Sequence, residues 1–545
     1  MPTTRCAVKS PISRLVLAHM WVAFGVFGLA AILGAWQMWV RSPIPAPFAS
    51  PDTYYASVTA HGTLMAYVLT TLFAMGFGYY VAVSALDRPL PGLRYAWIAF
   101  WMAVVGVAMA AVTVLLGKAS VLYTFYPPLT GSAFYYIGLV LVVVASWVWV
   151  AIMLIAMRGW KRGNPGKPVP LAMFGTVANA ILWGWTTVGV AAELLFQVIP
   201  AALGWTDTID VGLSRTLFSW TLHAIVYFWL LPAYIAFYTM VPQAAGSRLY
   251  SDLMGRVSFI LFLVYSLPVG MHHLLMDPEH GSGFKFLQSA LTGLVTVPTL
   301  LTIFTITASL EIAGRLRGGT GLFGWVAKLP WREPMVLATG LSFFMLGFGG
   351  FGGIVNMSYG MNAMIHNTAW VTAHFHLIFG GAVVIMYFAI AYAIWPRLTG
   401  HEAANLRQVR LQLWLWTIGI VIVTFPWHML GLQGQPRRVE SFDYSDPLIA
   451  GWAPWVVVSM IGGFIMLASA LLFIWNLATL FRGAPSTQPT RYAMAVHPPR
   501  RLPPVLNGFG MWNVVVLVLM LVAYGYPIAQ FFIYGSNQAL VQRLD

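Results

Sequence analysis

Six of the twelve histidines sit inside long apolar stretches, where a polar side chain is expensive to bury. They are His61, His223, the neighbours His272 and His273, and the i,i+2 pair His374 and His376. Imidazole suits haem iron and copper, and neither metal needs a thiolate. The single cysteine, Cys6, excludes an internal disulfide, an all-cysteine iron–sulfur site and any site needing two thiolates. Metal chemistry in this chain must therefore rest on histidine. On a helix of about 3.6 residues per turn, His374 and His376 point ~200° apart and can serve two different centres. His272 and His273 differ by ~100° and converge on one ion only if the helix end is irregular. His223 and Tyr227 form an i,i+4 pair that can touch on one face. His19 and His428 also lie in apolar runs but form no pattern, and they read as hydrogen-bonded packing residues. His280, His401 and His497 read as loop residues.

The elements that must position these side chains follow from composition. Of 545 residues, 59% are hydrophobic and 8% charged; an average soluble domain carries about 25% charged residues. A disordered chain and a soluble globular protein are both excluded. Apolar runs of about 20 residues, the length that crosses a bilayer, recur some thirteen times. They lie near 14–38, 58–85, 94–116, 132–157, 171–200, 214–242, 256–275, 286–313, 335–357, 367–396, 410–433, 451–480 and 509–534. The first is too long for a signal-peptide core and reads as a retained span. No connector is long enough to hold a soluble domain. The chain thus reads as an all-α membrane protein, a polytopic bundle of about 12–13 transmembrane helices, with residues 1–545 forming a single transmembrane domain.

The formal net charge of +14 is scattered in connectors and not gathered in one block, so no nucleic-acid partner is expected. With the N-terminus inside and the spans alternating, 22 Lys and Arg fall on the inner side and 7 on the outer, the C-terminus being outside. All six histidines then lie within about 15 Å of the outer edge at ~1.5 Å per residue. That common depth points to one or two metal centres in the outer half of a helix bundle.

These motifs carry a resemblance. His61-Gly62, His223-x-x-x-Tyr227 followed by Phe228-Trp229-Leu230-Leu231-Pro232, His272-His273 and His374-Phe375-His376 resemble subunit I of the haem–copper oxygen reductases, in particular the B-type (ba-type) branch. Tyr123-Thr124-Phe125-Tyr126-Pro127-Pro128 and the stretch from Leu316 to Trp325 are similar to that branch too. The resemblance runs from His61 to the last span. It implies a cytochrome c oxidase that reduces dioxygen to water while translocating protons, and a bundle holding two haems and a copper. His61 and His376 are then the axial ligands of a low-spin haem of b type. His374 is the proximal ligand of a high-spin haem of a type. His223, His272 and His273 bind the copper ion, and Tyr227, cross-linked to His223, supplies an electron and a proton.

The resemblance also implies a proton path from the inner side through Ser251, Thr302, Thr299, Tyr238 and Tyr234 to Tyr227. It places Arg437 and Arg438 on haem propionates, as charge-assisted pairs, and His366 at a proton exit. Three positions depart from related patterns. Ile225 stands where the A-type branch has a glutamate, so a second proton channel is not expected. Ala224 replaces the proline usual after the copper histidine, which predicts a weaker local kink. Asn362 replaces an acidic residue four positions before His366. The run Gly347-Phe348-Gly349-Gly350-Phe351-Gly352-Gly353 has no following Lys-Ser/Thr and reads as close helix packing or a small-molecule path, not a phosphate loop.

A dicopper centre needs cysteines this chain lacks, so electrons are expected through a partner subunit II carrying that centre, from cytochrome c or a similar donor. The expected location is a prokaryotic plasma membrane. Two rival readings are a nitric oxide reductase of the same superfamily, which would have extra glutamates near the metal, and a His-lined proton or metal transporter.

Overall fold

Segments that cross a bilayer must satisfy every backbone N–H and C=O internally, and a helix does so. The computed structural model, which describes residues 10–486, 489–535 and 541–543, is helical almost throughout. Arg5, Cys6 and Lys9 lie outside the described residues. Among those described, twelve helices are long and apolar enough to span a membrane. In chain order, with one shorter helix, they are α1 Pro11–Val40, α2 Pro51–Leu86, α3 Leu93–Leu115, α4 Ala133–Gly163, α5 Leu171–Ala202, α6 Val211–Thr239, α7 Asp252–Ser266, α8 Ser282–Leu316, α9 Pro334–Met357, α10 Ala369–Thr399, α11 Leu406–Leu432, α12 Ala450–Thr479 and α13 Gly510–Ile533.

Two boundaries differ from the sequence expectation, for local reasons. Helix α2 starts at Pro51, well before residue 58. Ser50 Oγ accepts from Thr53 N at 3.2 Å and Thr53 Oγ1 accepts from Ser50 N at 3.1 Å, a reciprocal cap, with proline at the first helical position. His61 therefore lies three turns inside α2 and does not open it. Helix α7 stops at Ser266, because Pro268 disfavours helix in the residue before it and lacks an N–H. The chain continues as a tight 3₁₀ turn, Gly270–Leu274.

Although α7 is short, it must cross. The segments before α7 and after α12 pair at Leu249 and Ala495, so an even number of crossings separates them, and α7 is needed to make it even. The same parity holds for His401 with Pro485, for Thr368 with Pro436, and for the two-stranded sheet of β1 Thr208–Asp210 and β2 Val541–Arg543. Each pair joins segments that alternation puts on one side.

Helix α6 is interrupted at His223, between Val211–Leu222 and Ala224–Thr239. The expectation of a weaker kink from Ala224 is thus met with a break in helical hydrogen bonding all the same. Four further irregularities among the described residues are π turns: Leu64–Leu69 just after His61, Leu194–Val198 in α5, His376–Val383 in α10 and Leu521–Gly525 in α13. A wider turn of this kind rotates the side chains beyond it and is often found at functional sites.

Candidate metal centre

All six histidines reach one internal cavity of about 800 Å³. Its wall divides into two groups. On one side, α6, the 3₁₀ turn after α7 and α8 bring His223, His272 and His273 together, with candidate donor atoms all within 4.8 Å of one another. The turn fits only because Gly270 has no side chain: a Cβ there would lie 1.7 Å from Ser219 O. Its N–H donates to Tyr524 Oη at 2.8 Å. The irregular helix end required for two adjacent histidines to converge is thus present.

Hydrogen bonds decide which nitrogens are free. His272 Nδ1 meets Val269 O at 2.5 Å and Thr292 Oγ1 at 3.0 Å, which leaves Nε2 for a metal. His223 Nε2 lies 3.0 Å from Tyr227 Oη, while its Nδ1 lies 3.3 Å from His273 Nε2. Two imidazole nitrogens that face each other this way, with a third ring 4.2–4.3 Å from both by centroids, form a three-nitrogen donor set. Such a set suits copper.

On the other side, His61 of α2 and His376 of α10 face each other with ring centroids 6.3 Å apart and planes 17° from parallel. Their Nδ1 atoms are engaged by Ala30 O and Thr372 O, each at 2.8 Å. Two metal–imidazole bonds of about 2 Å, with the distance from nitrogen to ring centre added at each end, span about 6 Å. The pair therefore fits opposite faces of one porphyrin iron. His374 is on the far face of α10, stacked with Trp370 and set against α9 at Gly352, where a Cβ would fall 2.6 Å from His374 Nδ1. Gly347 and Gly350 line the cavity with nothing within 4 Å of a built Cβ, whereas Gly349 packs on Ile378. The glycine run thus serves both as close helix packing and as open cavity wall. The residues fit porphyrin ligation, in which His61 and His376 would hold one haem and His374 another, and a copper that His223, His272 and His273 would hold.

The hydroxyls expected to form a path meet in two separate groups, and one hydroxyl stands apart. Tyr234 Oη donates to Thr299 Oγ1 at 3.4 Å, and Tyr238 Oη reaches Thr302 Oγ1 at 2.9 Å. Ser251 is part of neither: its Oγ caps α7 by accepting from Met254 N at 3.2 Å. The serine that meets Tyr238 is Ser258, at 2.8 Å. Ser258 lies seven residues on, inside α7, where its packing against α6 sets the contact.

On the opposite rim, Arg437 donates to Asn367 Oδ1 at 2.8 Å, while its Nε is buried without a partner. Burial, then the charge of Arg438, pulls its guanidinium down to about 10, still cationic at neutral pH. Arg437, Arg438 and His366 all line the cavity. His366 Nδ1 is 3.1 Å from Asn362 Oδ1, and burial, then Arg437 and Arg215, lower it to about 4. Sequence reasoning missed the neighbouring ion pair Arg215–Asp277 at 2.9 Å, since Arg215 opens α6 and Asp277 lies in the connector before α8, 62 residues on. His19 and His428 are packing residues as expected, each bonding a carbonyl four residues back, Leu15 O at 2.8 Å and Thr424 O at 2.7 Å.

Residues 14–465 match the family model described as cytochrome c and quinol oxidase polypeptide I. The chain belongs to this family. It is subunit I, the catalytic subunit, of a haem–copper terminal oxidase. Cytochrome c oxidase subunit 1 of Thermus thermophilus is 40% identical over 494 residues, covering 88% of this chain and 87% of the relative. Quinol oxidase subunit 1 of Bacillus subtilis is 25% identical over 464 residues, covering 80% and 66%. A solved heme-copper terminal oxidase dimer superposes with a TM-score of 0.91 at 33% identity, covering 96% of this chain and 93% of that one. Membership implies haem and copper cofactors, associated subunits and a prokaryotic membrane as the site of action.

Proposed function

We propose that this oxidase subunit belongs to the B-type branch and acts as a cytochrome c oxidase, a single transmembrane domain with its N-terminus inside and C-terminus outside. The observation that carries the reading is the division of labour around α10: His376 faces His61, while His374 faces the cavity that His223, His272 and His273 close. His61 and His376 hold a low-spin haem of b type, His374 a high-spin haem of a type, and the other three a copper ion. When bound, these groups supply the redox chemistry of dioxygen reduction.

The chain's own residues supply position and protons. His223 offers Nδ1 to the metal because Nε2 is turned to Tyr227, and the covalent link between these two rings belongs to the proposal. Tyr227, on the cavity wall, would supply a phenolic proton, and an electron, to the chemistry those groups carry out. Replacement protons come from the inner side by way of Ser258, Thr302, Tyr238, Thr299 and Tyr234. Ile225 in place of a glutamate supports a single path, and with it the B-type assignment. Arg437 and Arg438 neutralise haem carboxylates, and His366 beside them marks the proton exit. Electrons enter from a partner subunit II with a dicopper centre, fed by cytochrome c or a similar donor. The excess of Lys and Arg on one side supports the orientation.

No carboxylate lines the cavity among the described residues, which counts against a nitric oxide reductase. The test is oxygen and nitric oxide consumption by the purified complex with reduced cytochrome c. Fast oxygen uptake with little nitric oxide reduction is expected; the reverse preference would overturn the reading.

A further inference from the structure

Helix α5 carries one acidic side chain that the oxidase chemistry above does not use. Glu193 is fully buried, and neither carboxyl oxygen has a hydrogen-bond partner. An ionised carboxyl in such a place costs several kcal/mol or more unless paired. Among the described residues no basic side chain bonds either oxygen. The groups within its electrostatic reach are phenols from three other elements, Tyr67 of α2, Tyr126 of the α3–α4 connector and Tyr136 of α4. Tyr126 Oη and Thr71 Oγ1 are themselves buried without partners. Val190 and Leu194, on either side of Glu193 in sequence, line a small and almost wholly apolar cavity together with Tyr67 and Thr71, which sets α5 against α2 here, although Glu193 and Tyr126 do not border that cavity.

A second observation points the same way. Four π turns occur among the described residues, and three attend the metal centre. One follows His61, one begins at His376, and one contains Tyr524, which holds Gly270 two residues before His272. The fourth, Leu194–Val198, begins directly after Glu193. The pocket is also joined to the low-spin side. Tyr67 Oη donates to Tyr123 O at 3.2 Å, and Tyr123 packs against Gly62, next to His61. On its other side Tyr126 lies under the Arg215 guanidinium, 5.4 Å from its ring centroid.

We propose that Glu193 is a proton-holding site, a carboxylic acid inside the membrane that binds internal water together with Tyr67, Thr71 and Tyr126 and whose hydrogen bonding changes when the low-spin haem is reduced. The acid keeps its O–H bond throughout; an added electron on the far side of Tyr67 and Tyr123 alters the field across it and the bonds it donates and accepts. The site is separate from the hydroxyl series that begins at Ser258, and it rests on the placement of the low-spin haem at His61 and His376.

The experiment is the reduced-minus-oxidised infrared difference spectrum of the purified complex, in water and in deuterium oxide, with the optical haem spectrum recorded alongside. The expected result is a carbonyl-stretch difference band of a protonated carboxylic acid that shifts in deuterium oxide and is lost in Glu193→Gln. Should that variant fail to assemble, Tyr126→Phe must displace the band in the assembled complex. A normal low-spin haem spectrum with no such band, with a band that survives Glu193→Gln, or with one unmoved in Tyr126→Phe overturns this inference alone. Absence of a low-spin haem from the wild-type complex overturns the reading on which it rests.

Discussion

Replacing Thr302 by valine removes one hydroxyl from the proposed proton path while keeping the side chain's shape. In the fold, Thr302 Oγ1 donates to Pro298 O at 2.8 Å and is met by Tyr238 Oη at 2.9 Å. Tyr238 retains Ser258 at 2.8 Å, so its phenol is not stranded. The loss to stability is that of one ordinary buried hydrogen bond, about 0.5–1.5 kcal/mol. The loss to proton transfer is larger in consequence, because the proposed path is a single one. If each proton must pass without that bond, the same ~0.5–1.5 kcal/mol added to the barrier slows turnover about 2- to 12-fold. The assay is steady-state oxygen uptake with saturating reduced donor, with optical spectra confirming that both haems are in place. Ser258→Ala, which acts on the same phenol, should slow turnover to a similar degree. Ser251→Ala should leave the rate within about twofold and cost only a helix cap, about 0.5–2 kcal/mol of stability. Unchanged turnover in Thr302→Val, or a rate loss in Ser251→Ala equal to it, would refute the path.

Further predictions concern the metal centre and its outer rim. His272→Ala removes one of three donors and should abolish oxygen reduction and copper retention while leaving the low-spin haem spectrum intact; loss of that spectrum would contradict the assignment. Gly352→Ala puts a methyl 2.6 Å from His374 Nδ1 and should perturb the high-spin haem band without moving the low-spin one, as optical spectroscopy reads directly. Asp277 is raised by burial to about 6, against the pull of Arg215 and Lys285 and with Glu279 adding to the rise. A carboxyl raised above its unfolded value binds more protons when folded. Its contribution to stability is therefore full below the ordinary aspartate range and lost as pH rises through about 6. Asp277→Asn should remove that step from a plot of thermal stability against pH, and a step that persists would place it elsewhere.

Much of the architecture was legible because the bilayer imposes a coarse rule on sequence. Apolar length gave the helices, and alternation of basic connectors sorted them into sides that the bridges at Ala495, Pro485 and Pro436 respect. The histidines were legible for the complementary reason: a polar group in lipid is conspicuous. What hydropathy could not locate was set by local chemistry. The Ser50–Pro51 cap begins α2 with polar residues, and Pro268 divides what reads as a continuous apolar run. Ser251 caps the start of α7 and Ser258 lies within it, and only the packing of α7 against α6 and α8 brings Ser258 to Tyr238. The Arg215–Asp277 pair joins the start of α6 to the connector before α8 and left no sequence signal at all.

The most direct measurement is metal and haem analysis of the purified complex, combined with its optical spectrum. Two chemically distinct haems, one low-spin and one high-spin, with a copper at His223, His272 and His273 that disappears in His272→Ala, is the predicted result. Non-haem iron at those three histidines, or a folded complex that holds no haem, would contradict it.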